Sequence, residues 1–296
     1  MSAPTTRRSV HRIVEPPPMH WVGDGFPVRS LFSYAFEPKA WSPFLLLDYM
    51  GPKLFTPTRD RRGVGPHPHR GFETVTVVFS GEVEHRDSAG NHGTIGAGDV
   101  QWMTAASGIL HEEVQSRAFS EKGGLLHGAQ IWVNLPAQHK MSAPRYQDLL
   151  APRIPSVELG SGASARVVAG EIVGTRGPAL TVTPVSLWDV ALLAGASAEL
   201  SLPEGHTALV LVVAGSLRIE ATEVVEGRLA ELSRTGSAFR LAAKDGSRAL
   251  VLGGQPIDEP IVGQGPFVMN TWAEIIEAVH AVRSGEMGEL RSSLRS

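Results

Sequence analysis

Residues 74–90 read TVTVVFSGEVEHRDSAG, in which a glycine separates a run rich in β-branched residues from a second, alternating run. This pattern predicts a strand, a turn at Gly81 and another strand. Residues 207–223, TALVLVVAGSLRIEATE, repeat the plan with Gly215 at the turn. The two stretches together indicate a β-domain that occurs twice in the chain.

Other short β-type runs surround both stretches, for example FLLL at 44–47, IWV at 131–133 and ALVL at 249–252. The chain has 32 Gly and 21 Pro, spread in small clusters that are typical of turns between short strands. We therefore predict an all-β protein. Residues 141–155, MSAPRYQDLLAPRIP, are rich in proline and are predicted to form a linker that leaves the first domain.

One helix is predicted near the end of the chain. Thr271 and Glu274 have the spacing of a capping box. The apolar residues that follow recur at helical spacing before Gly285, and they are Ile275, Ile276, Val279 and Val282. We expect this amphipathic helix to pack on a sheet, because its polar face has few basic residues.

Composition excludes several classes of protein. The 296 residues suffice for two domains with cores of their own, and they are 42% hydrophobic and 19% charged. A net charge of −3 offers no basic field for nucleic acid, and no apolar run is long enough to span a bilayer. The chain has no cysteine, so thiolate metal sites and disulfides are impossible. We expect a soluble, cytoplasmic protein that binds neither nucleic acid nor a membrane.

Two pairs of side chains have the spacing of metal ligands. His67 and His69 lie in PHPHRG, and His111 and Glu113 lie in ILHEE. Residues i and i+2 of an extended segment point to the same side, so each pair can face one point. Three imidazoles and one carboxylate suit iron, manganese, cobalt, nickel, copper or zinc better than calcium or magnesium. An octahedral ion with four protein ligands keeps two positions for a substrate oxygen and for dioxygen or water.

The sequence resembles the pirins, a family within the cupin superfamily. The resemblance is carried by PHPHRGFETVTVVFSGEVEHRDSAGN at 66–91 and GDVQWMTAASGILHEE at 98–113. IWVNLP and KMSAPRYQ, around residues 131–147, and GPFVMNT at 265–271 extend it over nearly the whole chain. It implies two tandem cupin domains of the jelly-roll type with a short C-terminal α-helix. We place the metal-binding domain at 1–145 and a second, metal-free domain that ends in the helix at 146–296.

The resemblance also implies the metal ligands, which are His67, His69, His111 and Glu113, and it favours Fe(2+) as the metal. Spacing alone leaves Glu73 open as the carboxylate ligand, since general cupins often use a Glu shortly after the first histidine pair. We expect Glu73 at most to contact a metal ligand without binding the metal itself. Glu112 is expected to face solvent. His85 and His92 are predicted to flank a polar turn. His127 precedes a strand of the first domain, and a core position and a position behind a metal ligand both stay open for it, with a ligand role the least favoured.

The family implies two functions between which the sequence does not decide. One is a quercetin 2,3-dioxygenase that opens flavonols with dioxygen and releases carbon monoxide, with Glu113 as the catalytic base and Phe72 and Trp132 in the pocket. Glu113 as a plain ligand is equally open. The other is an iron-binding regulatory protein that senses redox state and binds a transcription factor or metabolic enzyme. An isomerase or a sugar-binding cupin fits the pirin motifs less well.

Overall fold

The computed structural model describes residues 6–294, which divide into two compact units. The first unit contains residues 17–151 and 257–294, and the second contains residues 6–16 and 152–256. The boundary predicted at 145/146 therefore needs correction, because each unit takes a terminal segment from the other half of the sequence. An amphipathic segment does not specify in its own sequence which apolar surface it will cover.

The strands have the following bounds in chain order: β1 (Val10–Val14), β2 (His20–Val22), β3 (Phe26–Ser33), β4 (Phe44–Phe55), β5 (Gly63–His69), β6 (Phe72–Ser80), β7 (Val83–Asp87), β8 (His92–Ile95), β9 (Val100–Thr104), β10 (Ile109–Gln115), β11 (Gly124–Asn134), β12 (Arg145–Leu149), β13 (Ser156–Gly160), β14 (Ala163–Ala169), β15 (Glu171–Ile172), β16 (Thr175–Arg176), β17 (Val185–Leu192), β18 (Ser197–Ser201), β19 (Thr207–Ala214), β20 (Ser216–Ile219), β21 (Thr222–Val225), β22 (Leu229–Leu232), β23 (Ala238–Ala242), β24 (Ser247–Gly254), β25 (Val262–Gln264) and β26 (Phe267–Met269). The helices are α1 (Arg117–Lys122), α2 (Ala137–Lys140) and α3 (Trp272–Ser284), with a 3₁₀ turn at Ala151–Arg153.

Each unit contains a seven-stranded and a four-stranded antiparallel sheet. In the first unit the strand orders are β12-β9-β6-β11-β4-β3-β2 and β5-β10-β7-β8. In the second unit they are β1-β22-β19-β24-β17-β14-β13 and β18-β23-β20-β21. The orders agree position by position, so β6 and β7 correspond to β19 and β20. The all-β fold with two similar domains is thus confirmed, and the repeat seen at residues 74–90 and 207–223 marks equivalent strand pairs.

The segment at 141–155 is not simply a linker. Its central part forms β12, which pairs with β9 from Arg145 opposite Thr104 to Leu149 opposite Val100. β12 lies at the edge of its sheet, and most of its side chains are only half-buried. An edge strand can therefore carry a polar sequence such as RYQDL, which resembles that of a loop. The first unit therefore extends past residue 145.

The second unit has an almost wholly aliphatic core around Trp188 and Phe239. Its counterparts of β5 and β10 are β18 and β23, with the sequences SAELS and AFRLA. Neither strand carries a histidine. The strands β18 and β23 of the second unit therefore lack the histidines that β5 and β10 of the first unit offer as candidate metal ligands.

The predicted C-terminal helix is confirmed as α3, which belongs to the first unit. Thr271 accepts a hydrogen bond from the backbone of Glu274, whose carboxylate accepts one from the backbone of Thr271 in return. Gly285 ends the helix in the left-handed conformation at φ 80°. The apolar face of α3 packs with Phe267 and Met269 of β26. Among the described residues, no helix has the length and hydropathy to cross a membrane.

Candidate metal centre

Strands β5 and β10 are neighbours in the four-stranded sheet and bring the two predicted ligand pairs together. His111 lies opposite His67, and Ile109 lies opposite His69. The register shifts between His111 and Glu113. Because directly opposed residues share a face of the sheet, the imidazoles of His67 and His111 point the same way.

His67, His69 and His111 form a compact triad. One ring nitrogen from each lies within 4.8 Å of the others. His69 and His111 are buried, with 4% and 0% of their surface exposed, whereas His67 is half-buried. Burial lowers the pKa of both His69 and His111 well below the ordinary value, and the charge of His67 adds to the effect. Both rings are thus neutral, which is the form that binds a metal.

The hydrogen bonds of the triad show which nitrogens face its centre. His67 Nδ1 lies 2.9 Å from the carbonyl oxygen of Gly65, and His69 Nδ1 lies 3.4 Å from that of Pro266. These contacts leave Nε2 of both rings for a ligand role. Over residues 6–294, Nε2 of His111 is buried without a hydrogen-bond partner. A buried, unsatisfied imidazole nitrogen beside two others fits a divalent transition metal.

Glu113 lies next to this triad in a second, overlapping group. Its ligand atom lies within 4.8 Å of those of His111 and His85, rather than in the group with His67 and His69. Both carboxylate oxygens accept hydrogen bonds of 2.9 Å from Gln130 Nε2, and Oε1 accepts one of 3.2 Å from Thr76. The four predicted ligands therefore form two groups that share His111, and their joint binding of one ion stays a prediction.

A small cavity borders Glu113. Its volume of about 20 Å³ holds roughly one water molecule. Val22, Phe26, Val28, Met50 and Val83 line its apolar part, and Asp48, Thr76, Glu113 and Gln130 line its polar part. These polar groups can supply the two to four hydrogen bonds that a buried water requires.

Asp48 and Gln130 are site residues that the sequence reasoning missed. Asp48 lies opposite Gln130, which in turn lies opposite Thr76, so one polar row crosses β4, β11 and β6. Burial raises the pKa of Asp48, although a 2.5 Å hydrogen bond from Ser30 opposes the rise. The available signal was a single polar residue within each of two otherwise apolar runs, LLLDYM and GAQIWV.

His85 was predicted to flank a polar turn, and it does lie beside the turn between β7 and β8, but it is not a surface residue. Only 1% of its surface is exposed, and its Nδ1 lies 3.4 Å from Nδ1 of His111. Strand β7, VEHRD, alternates between buried and half-buried residues, and His85 takes an inward position between Val83 and Asp87. The alternation was visible in the sequence, but the polar content of the run concealed it.

Glu112 was predicted to face solvent, and this is wrong. It points away from Glu113 as expected, yet none of its surface is exposed. Its carboxylate forms an ion pair with Arg86 and accepts two 3.0 Å hydrogen bonds from the backbone nitrogen of Ser293. Burial would raise the pKa of Glu112, but Ser293 and Arg86 together lower it. The C-terminal segment covers this face of β10.

Glu73 lies three residues before Thr76 on β6 and so faces the other side of the sheet from Glu113. Its carboxylate accepts a 2.6 Å hydrogen bond from Thr104, and 1% of its surface is exposed. Burial raises the pKa of Glu73 to about 7. The structure thus keeps Glu73 apart from the triad.

Two aromatic side chains, Phe72 and Trp132, flank the histidine triad. Phe72 and Trp132 stack with ring centroids 4.2 Å apart, and both present their rings to His69 at 5.0 and 5.1 Å. They contact the triad rather than the cavity beside Glu113. His127 lies elsewhere, with a ring nitrogen 2.8 Å from the hydroxyl oxygen of Tyr49.

The segment that follows His69 is anchored by a buried lysine. Lys140 Nζ donates to the carbonyl oxygens of Gly71 and Val268 at 2.6 and 2.9 Å, and to Asn134 Oδ1 at 2.7 Å. Only 1% of the lysine surface is exposed. Lys140 therefore joins the PHPHRG segment to β26 and to the end of β11.

Comparison with known proteins agrees with this architecture. Residues 25–133 match the family model described as Pirin, and residues 187–288 match the Pirin C-terminal cupin domain. A Pseudomonas aeruginosa protein that carries the provisional name of a quercetin 2,3-dioxygenase is 55% identical over 267 residues, which are 90% of this chain and 93% of that protein. The crystal structure of quercetin 2,3-dioxygenase from Acinetobacter baumannii is 48% identical and covers 97% of this chain and 100% of its own, with a TM-score of 0.93.

A more distant structure shares the fold. The bacterial pirin YhhW from Escherichia coli, in complex with nickel(II), is 22% identical, covers 83% of this chain and 99% of its own, and gives a TM-score of 0.64. The family assignment rests on agreement between the comparisons. Two pirin family models match the two domains, and a relative of 55% identity spans nine-tenths of the chain. The chain belongs to the pirin family.

Proposed function

We propose that this protein is a metal-dependent dioxygenase that opens flavonols such as quercetin with dioxygen and releases carbon monoxide. The observation that carries the proposal is the triad of His67, His69 and His111, with the carboxylate of Glu113 beside it. The name of the similar Acinetobacter structure supports the same activity. We expect it to act in the cytoplasm.

His67, His69, His111 and Glu113 would hold the metal, which we expect to be Fe(2+). Manganese, cobalt, nickel, copper and zinc suit the same donors. A bound ion would supply Lewis acidity toward the substrate oxygen, and a redox-active ion such as iron would also supply electron transfer to dioxygen. Gln130 donates to both oxygens of the Glu113 carboxylate. For Glu113 to bind the same metal as the three imidazoles, one of these oxygens would have to give up its hydrogen bond from Gln130 and bind the metal instead.

Glu113 would accept the proton of the flavonol 3-hydroxyl. It lies in a buried setting where a carboxylate that is not fully occupied by the metal can act as a general base. Gln130 and Thr76 fix the direction in which its oxygens point. The stacked rings of Phe72 and Trp132 hold His69 in place and exclude water from that side.

The cavity beside Glu113, at about 20 Å³, is far too small for a flavonol, since pockets for such ligands measure roughly 300 Å³ or more. We therefore expect the substrate to approach from the side of His67, the half-buried member of the triad. Opening of the apolar wall at Val22, Phe26 and Val28 is the other route.

The small cavity also favours a second candidate function. A pirin that senses redox state through its iron and binds a transcription factor or metabolic enzyme needs the same ligands but no room for a flavonol. In that role Glu113 is a plain ligand, and catalysis is absent.

The deciding experiment is anaerobic reconstitution with each divalent metal, followed by aerobic assay of quercetin turnover and carbon monoxide release. His69→Ala should lose both metal and turnover, and Glu113→Gln should lose turnover. The exposed His92 provides the control variant His92→Ala. No carbon monoxide from a fully loaded protein would refute the dioxygenase and leave the regulatory function.

If Glu113→Gln keeps its metal but releases no carbon monoxide, Glu113 acts as the base. Loss of the metal from this variant would instead identify Glu113 as a ligand. The metal content of each variant is therefore measured alongside its turnover.

A further inference from the structure

The three imidazoles of the triad differ in what their outer nitrogens contact. Nδ1 of His67 and of His69 each faces a backbone carbonyl oxygen, which can only accept a hydrogen bond. Nδ1 of His111 instead faces Nδ1 of His85 at 3.4 Å. Two ring nitrogens can form a hydrogen bond only if just one of them carries the hydrogen. The tautomer of His111 therefore depends on that of His85.

Asp87 favours one of the two arrangements. Its carboxylate accepts hydrogen bonds from the backbone of Ala89 and Asn91 and from the side-chain amide of Asn91, at 3.0, 2.9 and 2.8 Å. Three donors on its two oxygens satisfy this group as a carboxylate. Its Oδ2 lies 3.9 Å from Nε2 of His85. A negative charge there attracts the hydrogen of His85 to Nε2 and leaves Nδ1 as an acceptor.

The ring of His85 is also held in place by packing. It stacks on Tyr146 with centroids 5.0 Å apart and an angle of 27° between the planes. Tyr146 is itself fixed by a 2.5 Å hydrogen bond to Asp148. His85 therefore has little freedom to turn its Nδ1 away from His111.

We propose that His85 is a positioning residue of the metal centre, which accepts the Nδ1 hydrogen of His111 and so presents Nε2 of His111 to the metal. Asp87 acts behind His85 by fixing its tautomer. Outer hydrogen bonds of this kind orient metal-bound histidines and raise their basicity. The inference rests on the metal centre proposed above. The rival role, in which His85 is itself a ligand with His111 and Glu113, is an outcome of the test.

The test compares His85→Asn with His85→Phe. The asparagine side chain places a carbonyl oxygen near the position of Nδ1, whereas phenylalanine keeps the ring and its stacking on Tyr146 but has no acceptor. Affinity for cobalt(II) and nickel(II) is measured by competition with a chelating dye. We expect His85→Phe to weaken binding by about 10- to 100-fold, and His85→Asn to stay close to the unmodified protein.

A second readout comes from proton NMR of the cobalt(II)-loaded protein. Each imidazole bound through Nε2 should give one exchangeable, hyperfine-shifted Nδ1 hydrogen. In His85→Phe the signal of His111 should exchange faster with water, while in His85→Asn it should persist. His92→Phe, a ring substitution at an exposed position of the neighbouring strand β8, is the matched control and should leave both readouts unchanged.

Equal affinity of His85→Phe and the unmodified protein would overturn the inference. Equal weakening in both His85 variants would do the same, since it identifies a ligand that neither replacement supplies. If the phenylalanine variant does not fold, Asp87→Asn should still weaken metal binding and speed the exchange of the His111 Nδ1 hydrogen with water. No effect of Asp87→Asn on either readout would contradict the inference. Failure of the unmodified protein to bind cobalt or nickel would refute the metal centre itself.

Discussion

Gln130 donates its side-chain amide to both carboxylate oxygens of Glu113, at 2.9 Å each. The two residues lie on different sheets of the first unit, Gln130 on β11 and Glu113 on β10. The contact joins the sheet that carries the histidines to the sheet that carries the polar row of Asp48 and Thr76.

Replacing Gln130 by methionine keeps the length of the side chain but removes this donor. Hydrogen bonds to a charged group contribute about 1.5–3 kcal/mol, so Glu113 should lose its fixed orientation. We expect nickel affinity, flavonol turnover or both to fall by about tenfold. Gln264→Met, at an exposed position, is the control. Unchanged affinity and turnover in Gln130→Met would show that Glu113 needs no such support.

Metal binding should stabilise the protein against heat. A ligand that binds only the folded state at 100 times its Kd adds about 2.7 kcal/mol, which raises the Tm of a domain of this size by roughly 5–10 °C. Differential scanning calorimetry with and without nickel(II) measures the shift. His69→Ala should abolish the shift, and His92→Ala should retain it. A full shift in His69→Ala would place the metal elsewhere.

Lys140→Met should destabilise the first unit. The substitution leaves the carbonyls of Gly71 and Val268 and the side-chain oxygen of Asn134 without their buried donor. Each unsatisfied acceptor costs about 1–3 kcal/mol, so a loss of at least about 3 kcal/mol is expected. Chemical denaturation of the metal-free protein measures it, with Lys53→Met, an exposed lysine, as control. A loss below 1 kcal/mol would contradict the anchoring role.

Glu73 should make stability depend on pH. Burial raises its pKa from 4.5 to about 7, so between these values the folded protein binds more protons than the unfolded chain. The contribution of Glu73 to stability is therefore largest below pH 4.5, where Glu73 is neutral in both states. This stability is lost as the pH rises from 4.5 through 7, because the unfolded chain ionises first. At pH 8 the cost approaches about 3 kcal/mol.

Glu73→Gln cannot ionise and should escape this cost. Its stability relative to the unmodified protein should increase by about 3 kcal/mol between pH 4.5 and pH 8, measured by urea denaturation in the presence of a chelator. The difference between the two pH values cancels effects of the substitution that do not depend on protonation. Glu121→Gln, at an exposed position, should show no such change, and a flat difference for Glu73→Gln would refute the assignment.

Local patterns in the sequence predicted much of the first unit. The alternation of ILHEEVQ placed His111 and Glu113 on one face of a strand, and PHPH did the same for His67 and His69. The strand-glycine-strand pattern around Gly81 and Gly215 predicted the duplicated domain. In the structure both glycines have positive φ, 92° and 74°, at equivalent turns, and this conformation favours glycine. These features depend only on residues close together in the chain.

Other features depend on residues far apart in the sequence. Glu112 looked exposed because its cover comes from Ser293, 181 residues further along the chain. His85 looked like a turn residue because its partner His111 lies on a neighbouring strand. No local pattern of charge or hydropathy indicates which distant segment will bury a given side chain.

The exchange of terminal segments between the two units bears on how the protein is made. A chain leaves the ribosome N-terminus first, and domains ordinarily fold as they emerge. Here β5 and β10 appear early, but the Pro266 carbonyl that faces His69 and the Ser293 nitrogen that holds Glu112 come from the last part of the chain. The histidine triad therefore gains these surroundings only after residues up to 293 have been synthesised, and a nascent chain stalled soon after β10 would expose the triad without them.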